Sequence, residues 1–224
     1  FKKKSILQNN RYKEFISLQK ILNMSLERSE QELVRRESLQ KLKDLGINCY
    51  PADVFPVNTT ANDIKKGYKD GKELNVVIAG RIMSRRIMGK ASFAELQDSS
   101  GKIQLYVNRD EVCEGEDKTM YNQVFKKLLD IGDILGIEGS VFKTKVGEIS
   151  VMVKKITILS KSLKPLPLPK LDADGNIYDA FTDPEKRYRQ RYVDLVVNPD
   201  VKEAFVKRTQ LTNSMRNYLN NKGY

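Results

Sequence analysis

From residue 76 to residue 159 the chain is punctuated into five short runs of strand character, at 76–83, 92–97, 102–108, 133–142 and 149–159. They are rich in Val, Ile and Leu and bounded by polar or Gly-containing turns: Met88-Gly89-Lys90, Asp98-Ser99-Ser100-Gly101 and Lys145-Val146-Gly147. One interval differs. Within 118–130, Tyr121, Val124, Phe125, Leu128 and Leu129 recur at helical spacing, which predicts a helix between the third and fourth strands.

Three strands, a helix and two strands is the order of an OB-fold, a five-stranded Greek-key barrel whose second and third strands commonly face oligonucleotides. SH3-like barrels also have five strands; the intervening helix tips the balance. The fold class read here is mainly β with flanking helices: an OB-fold barrel over 74–160, preceded by a helical region over 25–73. In that region Ser29-Glu30-Gln31-Glu32 reads as a capping box opening a helix over 29–45. Leu33, Leu39, Leu42 and Leu45 form its expected apolar stripe, and Gly46 its stop. A second short helix is expected over 60–69. Pro165, Pro167 and Pro169 exclude a helix or central strand, so 161–187 reads as a linker, with a turn at Asp174-Gly175-Asn176. A last helix is expected over 200–221, with Val201, Phe205, Leu211, Met215 and Leu219 on one face.

Charge points to a polyanion. The net charge is +11, and Lys and Arg gain affinity for phosphates by releasing condensed counterions. Nearly half of the excess lies in residues 1–23, which hold six basic residues and one acid, so specific positions must carry the argument. That basic extension, 1–24, lacks the apolar segment of a secretory signal, and Met24 reads as the initiator. No apolar run approaches the ~20 residues that cross a bilayer, so no membrane partner is expected. Cys49 and Cys113 are too isolated for a metal site or a disulfide framework, and there is no His. Reduced thiols fit a cytoplasmic protein, and the prior for metal-dependent or hydrolytic chemistry is lowered.

Two stretches carry a specific likeness. One is Gly80-Arg81-Ile82-Met83-Ser84-Arg85-Arg86-Ile87-Met88-Gly89-Lys90-Ala91-Ser92-Phe93, continuing through Leu96-Gln97-Asp98 and Ile103-Gln104-Leu105-Tyr106-Val107. The other is Arg187-Tyr188-Arg189-Gln190-Arg191-Tyr192-Val193-Asp194-Leu195. Both resemble class II lysyl-tRNA synthetases of bacterial type, from about Glu30 to Tyr224. The resemblance implies an anticodon-binding OB-fold followed, over 188–224, by the start of a class II catalytic domain. The last helix resembles part of motif 1, which builds a homodimer interface. Motifs 2 and 3, which hold ATP, are missing. The complete enzyme would use ATP and Mg2+ to activate lysine and transfer it to tRNA(Lys). This segment is expected to bind neither ATP nor Mg2+, to contribute no catalytic residue and to be inactive alone. Its expected partner is the tRNA(Lys) anticodon loop; no DNA partner is expected.

The same resemblance assigns the binding residues. Unstacked bases in RNA loops are read by aromatic stacking and by hydrogen bonds to their edges. Phe93 is implied to stack on the central uracil, and Gln104 to read its edge through an amide that both donates and accepts. Arg86 resembles the basic partner to that base, and Glu148 is implied at the wobble position. Arg81 and Arg85 are weaker candidates that equally suit phosphate contacts or solvent. On composition alone Phe93 would be a core residue and Gln104 a solvent-facing one. Arg187, Arg189 and Arg191 read as a solvated basic run or, by resemblance, as a junction between domains. Two alternatives stand beside this reading: a free-standing OB-fold that binds single-stranded nucleic acid without sequence preference, and a non-catalytic synthetase paralogue.

Overall fold

The computed structural model describes residues 29–71, 74–172, 177–178 and 180–224. The basic extension expected over 1–24, Met24 and the turn at Asp174-Gly175-Asn176 lie outside the described residues. Two compact units are present, one ending at Lys164 and the other spanning Pro165–Tyr224.

The first unit opens with helix α1 (Glu30–Asp44), where Ser29 Oγ accepts from Glu32 N at 3.2 Å. It ends at Gly46, whose φ of 74° lets Ile47 N fold back to Leu42 O at 3.0 Å. The expected leucine stripe is rotated: Leu42 is buried and Leu39 partly so, but Leu33 and Leu45 are exposed, and Arg35 and Ser38 turn inward. Arg35 sets this phase. Its guanidinium donates to the carbonyls of Ile131 (3.0 Å), Ser162 (3.1 Å) and Lys164 (3.3 Å), a set of charge-assisted bonds that two exposed leucines do not outweigh.

Strands β1 (Leu74–Met88), β2 (Ala91–Gln97), β3 (Lys102–Asn108), β4 (Ile134–Lys143) and β5 (Ile149–Ser160) close into a barrel in the order β1-β2-β3-β5-β4. Every pairing is antiparallel except β3 with β5. β1 runs well past the expected 76–83. A bulge between Ile82 and Ser84 bends it, so that its first half pairs with β4 and its second half with β2. The second half alternates poorly because much of it is exposed, which hid the strand in the sequence. Inward residues such as Ile78, Leu96, Leu105, Ile137 and Val153 are almost completely buried. At Gly136 a Cβ would meet the Phe55 ring at 2.5 Å, so the missing side chain seats the connector from α1 against the barrel.

Between β3 and β4 lie a short helix α3 (Arg109–Val112) and a π-helix (Met120–Leu128) where an ordinary helix over 118–130 was expected. Its wide turn is marked by Leu129 N donating to Val124 O at 3.0 Å, five residues back. Tyr121 and Phe125 stack, with ring centroids 5.8 Å apart. The Tyr121 hydroxyl meets Ser92 Oγ at 2.8 Å and donates to Gly89 O at 3.2 Å. A buried phenol with two specific partners offers a reason for the locally widened turn.

The second helix of this unit, α2 (Ala61–Gly67), precedes the barrel and is capped by Thr60, whose hydroxyl accepts from Asp63 N at 3.3 Å.

The second unit, read by itself, holds a small ladder of β6 (Lys170–Leu171) and β7 (Ile177–Tyr178), then helices α4 (Pro184–Arg189), α5 (Arg191–Val197) and α6 (Pro199–Asn221). The expected linker therefore carries regular structure. The basic run is only partly solvated. Arg187 Nε donates to the buried Asp194 at 3.0 Å, Arg191 pairs with the same carboxylate, and Asn198 Nδ2 donates to it at 2.7 Å. Only Arg189 points outward, to Glu185 at 2.7 Å. On α6, Phe205, Leu211, Met215 and Leu219 are exposed. No helix among the described residues is long and apolar enough to cross a membrane.

Candidate nucleic-acid interface

Alternation along β2 and β3 decides what faces outward. Ser92, Ala94 and Leu96 are buried, as are Ile103, Leu105 and Val107, which leaves Phe93, Glu95, Gln104 and Tyr106 on the outer face. The register sets Phe93 opposite Tyr106, and Glu95 opposite Gln104. On the neighbouring strand Arg86 lies opposite Phe93. A groove of about 650 Å³ runs over this face, and Phe93, Gln104, Arg86 and Glu148 all line it.

Each side chain is held by a neighbour. The Phe93 and Tyr106 centroids are 5.3 Å apart at 55°, and Tyr106 meets Phe142 edge-on at 5.8 Å. The Phe93 ring is thus braced from one side by an aromatic row and only half-buried. Gln104 Oε1 accepts from Ser150 Oγ at 2.7 Å. Glu148 sits in the β4–β5 turn, with its N donating to Thr144 Oγ1 at 3.0 Å and its carboxylate 3.7 Å from Lys65 Nζ. Glu95 pairs with Lys102 at 2.6 Å. The groove is mixed in charge, with a cationic surplus that is small and local.

Lys65 reaches the groove because α2 is fixed to the β2–β3 turn. The Asp98 carboxylate accepts from Ala61 N (2.7 Å), Ser100 N (2.7 Å), Ser100 Oγ (2.7 Å) and Gly101 N (2.9 Å). Burial alone would push the Asp98 carboxyl up, but these donors together hold it below the usual carboxylate range.

Arg81 and Arg85 do not join the groove. Arg81 Nη1 donates to Gly132 O at 2.6 Å, and Arg85 Nη1 donates to Phe125 O with its guanidinium 5.8 Å from the Phe125 ring centre. Burial lowers the pKa of both. The bulge is the physical reason for Arg85: it shifts the phase of β1, so Arg85 pairs with the inward Ala94 and Arg86 with the outward Phe93. Nothing in a run of Ser-Arg-Arg reveals that shift.

Sequence reasoning missed Lys65, Glu95, Lys102 and Ser150. Glu95 and Lys102 were readable, since each stands two residues from Phe93 or Gln104 on the same face. Lys65 and Ser150 were not, because only tertiary packing brings them near. Among the described residues no group of three or more Cys, Asp or Glu is gathered to hold a metal ion.

Residues 76–159 match the tRNA anti-codon family, an OB-fold nucleic acid binding domain. Over 196 residues the chain is 64% identical to a lysine–tRNA ligase of Christiangramia forsetii, covering 88% of this chain and 34% of that protein. A lysine–tRNA ligase of Porphyromonas gingivalis is 56% identical over 202 residues, 89% of this chain and 35% of its own length. One from Azobacteroides pseudotrichonymphae is 56% identical over 197 residues, 88% of this chain and 39% of its own length. The chain thus spans little more than a third of the length of the curated relatives it matches.

Proposed function

We propose, from the premise that this chain is a homologue of the lysine–tRNA ligases carrying an OB-fold nucleic-acid-binding barrel, that the barrel binds the anticodon loop of tRNA(Lys). The observation that carries the reading is the convergence of Phe93, Gln104 and Arg86 on one groove, at the strands where an OB-fold takes oligonucleotides. An unstacked central uracil lies on the Phe93 ring, with its edge toward the Gln104 amide and Arg86 on the same side. Glu148 offers acceptors to a neighbouring base, and Lys65 balances that carboxylate.

The complete protein is proposed to activate lysine with ATP and Mg2+ and to attach it to tRNA(Lys) in the cytoplasm. ATP would supply the adenylyl group that makes the lysine carboxyl reactive, with pyrophosphate as the leaving group. The carboxylates described here are not gathered into a metal site, so no step of that chemistry is assigned to residues of this chain. The exposed apolar face of α6 is proposed as part of a homodimer contact.

The test is titration of a short RNA stem-loop bearing the loop sequence UUU against one bearing UCU. The UUU loop is expected to bind more tightly, and Phe93→Ala to weaken it by about 1–3 kcal/mol. Equal binding of the two loops would sink the sequence-specific reading and favour non-specific binding along the Phe93–Tyr106–Phe142 row.

A further inference from the structure

We infer that Ser150 is a positioning residue that sets the base preference of the groove by holding the Gln104 amide in one orientation. The inference rests on the anticodon reading above. Ser150 is completely buried, and its register partner across the parallel β3–β5 pairing is Gln104. Its hydroxyl donates to Gln104 Oε1 at 2.7 Å, and among the described residues it makes no other side-chain hydrogen bond.

A glutamine amide is ambiguous: one end donates, the other accepts. Turned one way it complements the O4 acceptor of uracil, and turned the other way the N4 amino group of cytosine. Ser150 biases the choice. With Oε1 committed to the serine hydroxyl, Nε2 is the end offered to a ligand in the groove. If the amide turned over, the hydroxyl oxygen could accept from Nε2, but the buried hydroxyl proton would be left without an acceptor among the described residues, which is unfavourable where water cannot replace it. A residue that never touches RNA would then decide between two pyrimidines of the same size.

The test uses the full chain and the UUU and UCU stem-loops. In Ser150→Ala either amide orientation is free, so the ratio of the two affinities is expected to fall by about fivefold or more, largely through tighter binding of UCU. A merely structural role would weaken both loops alike and leave the ratio unchanged. Ser150→Cys, close in size with a weak donor, is expected to give an intermediate ratio, and it decides the matter if Ser150→Ala does not fold. A folded variant that keeps the wild-type ratio overturns the role of Ser150 while the anticodon reading stands. A wild-type chain that does not distinguish the loops overturns both.

Discussion

Lys161 Nζ lies 3.0 Å from Asp133 Oδ2, and neither side chain reaches solvent. Asp130 contacts the same ammonium, and Asp133 also accepts from Asp130 N and Ser162 N, both at 2.7 Å. The cluster ties the end of β5 to the start of β4 where the barrel closes. Removing one partner of a buried pair strands the other charge, so Lys161→Met is expected to lower unfolding stability by about 3–5 kcal/mol in urea titrations. Burial is the largest influence on Asp133 and pushes its carboxyl up, with Lys161 the main opposing influence. Without Lys161 the folded pKa rises further above the unfolded one, and such a group favours folding at low pH and loses that contribution as pH rises through the folded pKa. The stability gap between wild type and variant should therefore be smaller near about pH 5 than near about pH 7. A gap that widens on acidification would count against the pairing.

Asp98 has the opposite sign. Its folded pKa is depressed, so its contribution is fully present above the unfolded value near ~4 and is lost as pH falls through the folded value. Asp98→Asn is expected to destabilise by about 1–3 kcal/mol at neutral pH, because the carboxylate serves three backbone donors and a hydroxyl. Thermal unfolding of both proteins down to about pH 2 should show the two curves converging in acid. Parallel curves would mean that the charge at Asp98 contributes nothing.

Four of the strands were legible because their inward residues are mostly Val, Ile or Leu that must alternate to fill a barrel, and β2, whose inward face is Ser92, Ala94 and Leu96, because turns bound it on both sides. What escaped reading depends on partners far along the chain. The rotation of α1 follows from Arg35 finding carbonyls at Ile131, Ser162 and Lys164, and no periodicity within α1 records that. The bulge after Ile82 is invisible in the sequence, so strand alternation could not separate Arg85 from Arg86, and only resemblance ranked Arg86 above Arg81 and Arg85. Phe93 and Gln104 could be placed on one outer face from strand alternation and resemblance. Ser150 could not, because its meaning lies in a parallel pairing between strands that two helices and a further strand separate.

The split between Arg85 and Arg86 can be measured. Arg85→Met should cost about 1–3 kcal/mol of stability, since the Phe125 carbonyl loses a charged donor, and should leave RNA affinity near wild type. Arg86→Met should do the reverse: stability within about 0.5 kcal/mol of wild type, as expected for an exposed residue, and weaker binding of the UUU loop. Unfolding curves and RNA titrations on the same preparations separate the two effects. If Arg85→Met weakened RNA binding without loss of stability, the division drawn from the bulge would be wrong.

Lys65 is a groove cation that no motif announced. It stands on a helix of seven residues, 3.7 Å from Glu148, and the pair is partly exposed. A surface pair of this kind stabilises a fold by about 0–1 kcal/mol, so Lys65→Met should unfold almost like wild type. RNA binding should change in a more specific way. A carboxylate beside a polyanion is unfavourable unless a cation accompanies it, and Lys65 supplies that cation while adding a charge that can meet a phosphate. Lys65→Met is therefore expected to weaken the UUU loop and, if a phosphate contact is lost, to reduce the slope of log affinity against log salt by about 1. Adding Glu148→Gln to Lys65→Met should restore part of the affinity, because the uncompensated carboxylate is then gone. If the double variant binds more weakly than Lys65→Met, the acceptors that Glu148 offers the base outweigh the cost of its unpaired charge.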